Sequence, residues 1–376
     1  MSLRLLLLST PVGPLGSGLG GGVEATVLNL AQVLTQRGHR VAIAAPEGSQ
    51  LPSDLDKAIA LIQIPGVWQP TAQTQDRNAL VLTESALANL WDYARRVQNQ
   101  YDLLANFAYD WLPFYLTPFL STPVAHFVSM GSLSVGEASP LENRLDQAIV
   151  HLSAQFPGTL GAYTQSQVKT FQGVDSADWE ILGCGLDMAR YEYCDRPKDF
   201  LAWAGRISPE KGLEDAISAA LLAQKPLKIF GNIEDDDYWQ SLQPLMLQAQ
   251  KIAPIQHCGF LPTAELQQAL GRAQALLVTP KWTEAFGIVA IEALACGVPV
   301  IAYKRGGPAE IVCSGKTGWL VAPDDVRALA EATERLQQID RQACREWAIA
   351  NYSLSAWGER FEQWFCKIVA KSKKHS

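Results

Sequence analysis

The chain has 376 residues, 48% hydrophobic and 18% charged, and a net charge of −7. That length favours two domains, each able to bury its own core, and the acidic balance argues against nucleic acid or an anionic membrane surface as the main partner. No apolar run approaches the ~20 residues of a spanning helix, and seven scattered cysteines without a C-x-x-C pair fit a reducing, cytoplasmic setting better than a zinc site or a disulfide framework.

Residues 3–8 are continuously apolar, as a strand covered on both faces of a parallel sheet must be. The run is too short for the core of a signal peptide. A loop with six glycines between Gly13 and Gly22 follows. Val23, Val27, Leu30, Ala31 and Leu34 then recur at helical spacing, which predicts a helix over 23–36 ending at Arg37-Gly38. Residues 41–45 read as a second strand. Strand, loop, helix, strand is the opening of a doubly wound α/β sheet, continued by strands at 103–105, 124–128 and 161–164.

The polar stretch 188–198 reads as a domain boundary. Beyond it the alternation restarts, with strands at 200–205, 227–231, 275–279 and 298–303 and helices at 213–223, 266–272 and 287–296. Two Rossmann-like domains are expected, over 1–190 and 198–355. Residues 356–369 gather Trp357, Phe361, Trp364, Phe365 and Ile368 into one stripe, the mark of a docking helix. The basic tail 371–376 is expected to be solvated and disordered.

Gly16, Gly18 and Gly21 spell G-x-G-x-x-G. A dinucleotide fingerprint begins where its strand ends, whereas Gly16 comes seven residues after Ser9, past Pro11 and Pro14. The loop is read instead as bare backbone at Gly20, Gly21 and Gly22 that lets a ligand come close to amides at a helix N-terminus. Asp235-Asp236-Asp237 imitates a metal-binding D-x-D, but it lies beyond Gly231-Asn232-Ile233. It reads as a solvated loop, and no metal is expected.

The second half carries the sharper pattern. Arg206 and Lys211 follow the strand at 200–205, and two cations at the mouth of a sheet suit a diphosphate. Glu284 and Glu292 have seven residues between them. Glu284 is expected at the start of a helix, with the amides of Ala285, Phe286 and Gly287 able to hold a phosphate or sugar oxygen. Glu292 is expected just over two turns in. Within the apolar run IVAIEALA its carboxylate needs a hydrogen-bonding partner, and paired ribose hydroxyls are natural ones. Gly306-Gly307-Pro308 follows the next strand, with Glu310 at the following helix and a hairpin or turn at 316–318.

In this order, Gly205-Arg206 to Lys211-Gly212, Glu284 to Glu292, and Gly306-Gly307 to Glu310 make the chain resemble the GT-B-fold retaining glycosyltransferases of family 4. The resemblance implies two Rossmann-like, doubly wound α/β domains facing a central cleft. The first would bind the acceptor and receive the C-terminal segment 356–376 as a crossover helix; the second would bind a nucleotide sugar. Arg206 and Lys211 would neutralise the diphosphate of a UDP-sugar. Glu284, Phe286, Gly287 and Ile288 would position the donor sugar, Glu292 would hold the ribose, and Gly20, Gly21 and Gly22 would close over the diphosphate. No metal or other cofactor is implied.

The family's histidine after the first domain's Pro-Val-led strand has no counterpart here. PVAHFVSMGS places Ser129 or Met130 there, and His126, three residues earlier in an apolar strand, is expected in the core. Eight aromatic residues lie between Tyr101 and Phe127. Some fill the core, and the rest, with Trp111 foremost and Asp110 as a polar contact, can stack a flat acceptor. Residues 9–34 are similar to the corresponding run of pteridine glycosyltransferases. That implies transfer of glucose from UDP-glucose to a pterin such as tetrahydrobiopterin. The alternatives are a transferase acting on a sugar, lipid or polysaccharide, a nucleotide-sugar epimerase, and a non-catalytic nucleotide-sugar sensor that binds without turnover.

Overall fold

Leu5, Leu6, Leu7 and Leu8 are wholly buried in strand β1 (Arg4–Leu8) because both faces of that strand are covered. The computed structural model describes residues 2–17, 19, 21–53, 55–69, 84–132, 140–250 and 252–375. The chain divides into two units, Met1–Gly185 with Trp357–Ser376, and Leu186–Ala356.

The first unit is built on a parallel sheet ordered β3-β2-β1-β4-β5-β6-β7. With β1 it comprises β2 (Arg40–Pro46), β3 (Ala60–Ile64), β4 (Leu103–Asn106), β5 (Val124–Val128), β6 (Leu160–Ala162) and β7 (Trp179–Ile181). The helix predicted over 23–36 runs Gly21–Gln36. Sequence patterning misses β3 and β7, since neither is a continuous apolar run: β3 is an edge strand and β7 spans three residues including Glu180. The strand expected over 161–164 ends at Ala162 because Thr164 caps the next helix, its side chain accepting from the Gln167 amide.

The second unit has a parallel sheet ordered β10-β9-β8-β11-β12-β13. Its strands are β8 (Leu201–Ala204), β9 (Leu227–Phe230), β10 (Ile255–His257), β11 (Ala275–Val278), β12 (Val300–Tyr303) and β13 (Gly318–Val321). The turn expected at 316–318 closes at Thr317, and Gly318 already belongs to β13, which pairs parallel with β12. Asp235-Asp236-Asp237 is not a solvated loop. It opens the helix Asp236–Gln250, and Asp235 Oδ1 accepts from the Tyr238 amide.

The division between units falls at Gly185–Leu186, ahead of the expected boundary at 188–198. That polar segment is tied to the second unit. Arg341 Nε donates to the Cys194 carbonyl at 2.7 Å, and Arg345 donates to the carbonyls of Tyr191 at 2.7 Å and Met188 at 3.1 Å. Two arginines one helical turn apart thus secure a stretch whose polarity suggested a free linker.

The last helix, Leu354–His375, belongs to the first unit from Trp357 onward. Its stripe of Trp357, Phe361, Trp364, Phe365 and Ile368 is buried. The indoles of Trp357 and Trp364 donate to the carbonyls of Gly183 at 3.2 Å and Gly158 at 2.8 Å. The tail is ordered further than expected: the helix runs on to His375, and Lys371 Nζ reaches the Pro157 carbonyl at 2.9 Å. Among the described residues no helix is long and apolar enough to cross a membrane.

Each sheet reverses strand order once near its middle, between β1 and β4 in the first unit and between β8 and β11 in the second. Loops leaving the carboxyl ends of such neighbouring strands diverge and leave room for a ligand.

Candidate functional site

The loops leaving β8 and β11 carry Arg206, Lys211 and Glu284, so the sequence motifs meet at the second unit's strand reversal. Gly212 ends the short turn Pro209–Lys211 in a left-handed conformation, φ +64°, and a Cβ there would overlap the Thr279 carbonyl. Only glycine lets the two loops lie this close. The Lys281 amide donates to the Glu210 carbonyl at 2.8 Å and Thr279 Oγ1 to the Gly212 carbonyl at 2.8 Å, fastening one loop to the other.

Both cations are met by carboxylates of their own unit. Lys211 Nζ pairs with Glu284, which also accepts from Trp282 Nε1 at 3.1 Å, and the ammonium lies 5.1 Å from the Trp282 ring centre. Arg206, its side chain 48% exposed, pairs with Glu234 and, at 3.2 Å, with Glu210. Ser208 Oγ donates to the same Glu210 carboxylate at 2.7 Å. The Arg206 pairs are exposed, and such pairs contribute only about 0–1 kcal/mol, so an incoming dianion can displace Glu210 and Glu234; the Lys211–Glu284 pair is largely buried, and a dianion that takes Lys211 has to replace its charge partner there.

Glu284 does not start a helix. The helix is Ile288–Ala295 with Gly287, φ +87°, at its N-cap, so Glu284 sits in the loop ahead of it and Glu292 is just over one turn in. A left-handed Gly287 keeps the chain out of helical geometry until Ile288, so the helix coincides with the apolar run and Glu284 is left outside it. The loop is clamped by Gly306 and Gly307. The Gly307 amide donates to the Glu284 carbonyl at 2.7 Å, and a Cβ on Gly306 (φ +61°) would lie 2.5 Å from that same oxygen. Phe286 is buried and packs edge-on to Tyr352 at 6.0 Å, so its ring is a structural support, whereas Ile288 is exposed at the helix start.

Glu292 is partly buried as a residue, but its carboxyl is enclosed by the fold. Burial pushes that carboxyl above the usual range, and a hydrogen bond from Tyr191 pulls it back in part. Tyr191 Oη donates to Glu292 Oε1 at 2.9 Å. Sequence reasoning missed Tyr191, Trp282, Glu210 and Glu234. Trp282, two residues before Glu284, carried a faint signal as an aromatic in a polar loop; the others looked like ordinary surface residues.

In the first unit, Gly20 lies outside the described residues. Gly21 and Gly22 begin the helix Gly21–Gln36, and nothing lies within 4 Å of where a Gly22 Cβ would stand. Among the described residues of the loop the left-handed glycines are Gly13 and Gly16, and the Gly16 amide donates to Glu24 Oε1 at 2.7 Å.

Asp110 caps the helix Trp111–Leu116, Oδ1 accepting from the Leu112 amide at 3.0 Å. The eight aromatics sort by burial: Phe107, Phe114 and Phe127 are core, Tyr101, Tyr109 and Trp111 are half-buried, and Tyr115 and Phe119 are exposed. Trp111, Tyr115 and Phe119 form a ladder with ring centres 5.7 and 5.6 Å apart. Tyr115 is 57% and Phe119 68% exposed. Ser129 is half-buried just past β5, in a loop gripped by Gln167, whose Nε2 donates to Val128 O at 2.7 Å and Met130 O at 2.8 Å.

His126 is a core residue. Asn106 Nδ2 lies 3.1 Å from its Nδ1, and Thr117 Oγ1 lies 2.8 Å from its Nε2. Thr117 spends its own proton on Pro113 O, so the ring is the Nε2–H tautomer, accepting at Nδ1 and donating at Nε2. Burial pushes its pKa down to about 3, and neither nitrogen is left for a substrate.

Residues 20–190 match the family described as Glycosyltransferase Family 4, and residues 195–352 match Glycosyl transferases group 1. The chain is 29% identical over 273 residues to glycogen synthase of Mycobacterium tuberculosis, covering 66% of this chain and 64% of that protein. It is 26% identical to the D-inositol 3-phosphate glycosyltransferase of Nocardia farcinica, covering 96% and 87%. Anabaena HepE, crystallised with UDP, has a TM-score of 0.72 to this chain at 19% identity, covering 97% of it and 100% of HepE; HepE has also been solved with UDP-glucose. That likeness shows the fold, two Rossmann-like α/β domains of the GT-B type.

Proposed function

We propose that this chain, which matches Glycosyltransferase Family 4 over residues 20–190 and Glycosyl transferases group 1 over residues 195–352, transfers a hexose, glucose foremost, from a UDP-sugar to a hydroxyl of a small acceptor with retention of configuration. The observation that carries this reading is the pairing of Arg206 and Lys211 with displaceable carboxylates at the β8–β11 reversal. A diphosphate takes both cations from Glu234, Glu210 and Glu284. The bond between the anomeric carbon and the diphosphate then breaks with its electron pair going to UDP, through an oxocarbenium-like state. The acceptor oxygen bonds to the anomeric carbon and its proton passes to the departing diphosphate oxygen. Glu284, released from Lys211 but still held by Trp282, positions the sugar, the amides at the start of Ile288–Ala295 favour the departing charge, and Glu292 accepts from the ribose. Retention is taken from the family resemblance. No metal is required, because the two side-chain cations meet the leaving charge.

We assign the acceptor as a pterin. The ladder of half-buried Trp111 with exposed Tyr115 and Phe119 suits a flat heterocycle, with Asp110 and Ser129 as the polar groups assigned to it, and residues 9–34 carry the resemblance to pteridine glycosyltransferases. All seven cysteines stand unpaired, which suits a cytoplasmic setting. A second reading, transfer to an inositol phosphate, is favoured by the match to the Nocardia enzyme over 96% of this chain. The test is UDP release from UDP-glucose alone, with tetrahydrobiopterin, and with inositol phosphate. Stimulation by the pterin supports the assignment, stimulation by inositol phosphate alone replaces it, and no release with any acceptor or UDP-sugar favours a sensor.

A further inference from the structure

We propose that Tyr191, near the start of the second unit, is a positioning residue for nucleotide recognition: its phenol holds the Glu292 carboxylate in the orientation that accepts the ribose hydroxyls. The inference rests on the reading of Glu292 as the ribose acceptor. Tyr191 is buried, and its Oη donates to Glu292 Oε1 at 2.9 Å. Its backbone has little freedom to move that oxygen. Arg345 NH1 donates to the Tyr191 carbonyl at 2.7 Å and also to the Ala295 carbonyl, at the end of the helix that carries Glu292. Arg345 NH2 reaches the Met188 carbonyl at 3.1 Å, and the next residue's amide, that of Glu192, donates to Gln267 Oε1 at 3.0 Å. One guanidinium therefore ties the Tyr191 backbone to the Glu292 helix, and the phenol closes a second link between the same two elements.

An ionised carboxylate is acceptor-only, with two oxygens and about four acceptor positions. The Tyr191 bond occupies one of them, on Oε1, and fixes the plane of the group, leaving Oε2 and the rest of Oε1 for two vicinal hydroxyls. Without the phenol, Glu292 sits in the otherwise apolar run IVAIEALA with no fixed rotamer and a costly buried charge. The neighbouring Tyr193, 41% exposed, offers no such contact.

The test is calorimetric titration of the full chain with UDP and with 2′,3′-dideoxy-UDP, for the wild type, Tyr191→Phe, Glu292→Gln and the double variant. Wild type binds UDP more tightly than the dideoxy analogue. Tyr191→Phe is expected to weaken UDP about tenfold, the loss of one hydrogen bond to a charged group, and to leave dideoxy binding unchanged, which also shows that the variant is folded. In the Glu292→Gln background Tyr191→Phe should change neither affinity. Should Tyr191→Phe not fold, 3-fluorotyrosine at position 191, close to isosteric and a stronger donor, should tighten UDP and not the analogue. Equal weakening of both nucleotides, or no change in either, overturns the proposal and leaves the reading of Glu292 standing. A wild type that does not prefer UDP overturns that reading and the proposal with it.

Discussion

Lys211 and Arg206 hold carboxylates at the strand reversal where we propose the diphosphate binds, so each can be tested by removing its charge. Lys211→Ala and Arg206→Ala should each lower the rate of transfer by about 10²–10³, the usual cost of losing a group aimed at developing charge; wild-type rates in both would remove the donor assignment. His126 predicts a pH effect on stability. Its folded pKa is near 3 against about 6.5 in the unfolded chain. Between those values only the unfolded chain takes up the proton, so this contribution is whole above about pH 6.5 and is lost as the pH falls toward 3, by up to about 1.4 kcal/mol per unit. Denaturant unfolding at pH 7 and pH 5 should show His126→Gln, which has no ring to titrate, losing less stability on acidification than wild type. The sequence singled out Arg206, Lys211 and Glu284 as charges in loops after apolar runs and Glu292 as a charge inside one, and the structure gathers Arg206, Lys211 and Glu284 on the loops leaving β8 and β11. Tyr191 was not legible in the sequence, since its role depends on a contact across 101 positions of chain.

Among the elements, the Gly306-Gly307 clamp shows how a loop of the second unit gives Glu284 its place. Gly306→Ala would put a methyl 2.5 Å from the Glu284 carbonyl at a φ of +61°. We expect a loss of more than ~1 kcal/mol in stability, read by thermal unfolding, together with a fall in UDP release as the Glu284 loop moves away. Unchanged release would mean that the backbone of this loop does not set the site. Buried strands announced themselves as apolar runs, and the predicted ranges for β1, β5, β8 and β11 lie within one residue of the strands found at each end. Short edge strands did not, because β3, β7 and β10 include polar residues that face solvent. Helix starts were set by caps and left-handed glycines, which is why the helix after Glu284 begins at Ile288.

For the whole molecule, the C-terminal helix returns to the first unit, so residues far apart in sequence share one core. Phe361 lies 5.5 Å from Phe127, and Trp357 donates to Gly183. Trp357→Ala should cost about 3–5 kcal/mol, the range for deleting a large buried aromatic. Hydrogen exchange should place the loss of protection in residues 4–185, with residues 200–350 spared; a loss confined to the latter would contradict the packing seen here.

The order of strands and helices, the division into two α/β units and the presence of paired cations and carboxylates follow from local patterning, because burial and helical periodicity are written into neighbouring residues. The tertiary structure alone decided that segment 188–198 is fastened to the second unit, that His126 is spent on Asn106 and Thr117, and that Glu292 has a phenolic partner. Those outcomes depend on which buried polar atoms find each other once the sheets have formed, and hydrogen bonds between distant residues leave no periodic trace in the chain.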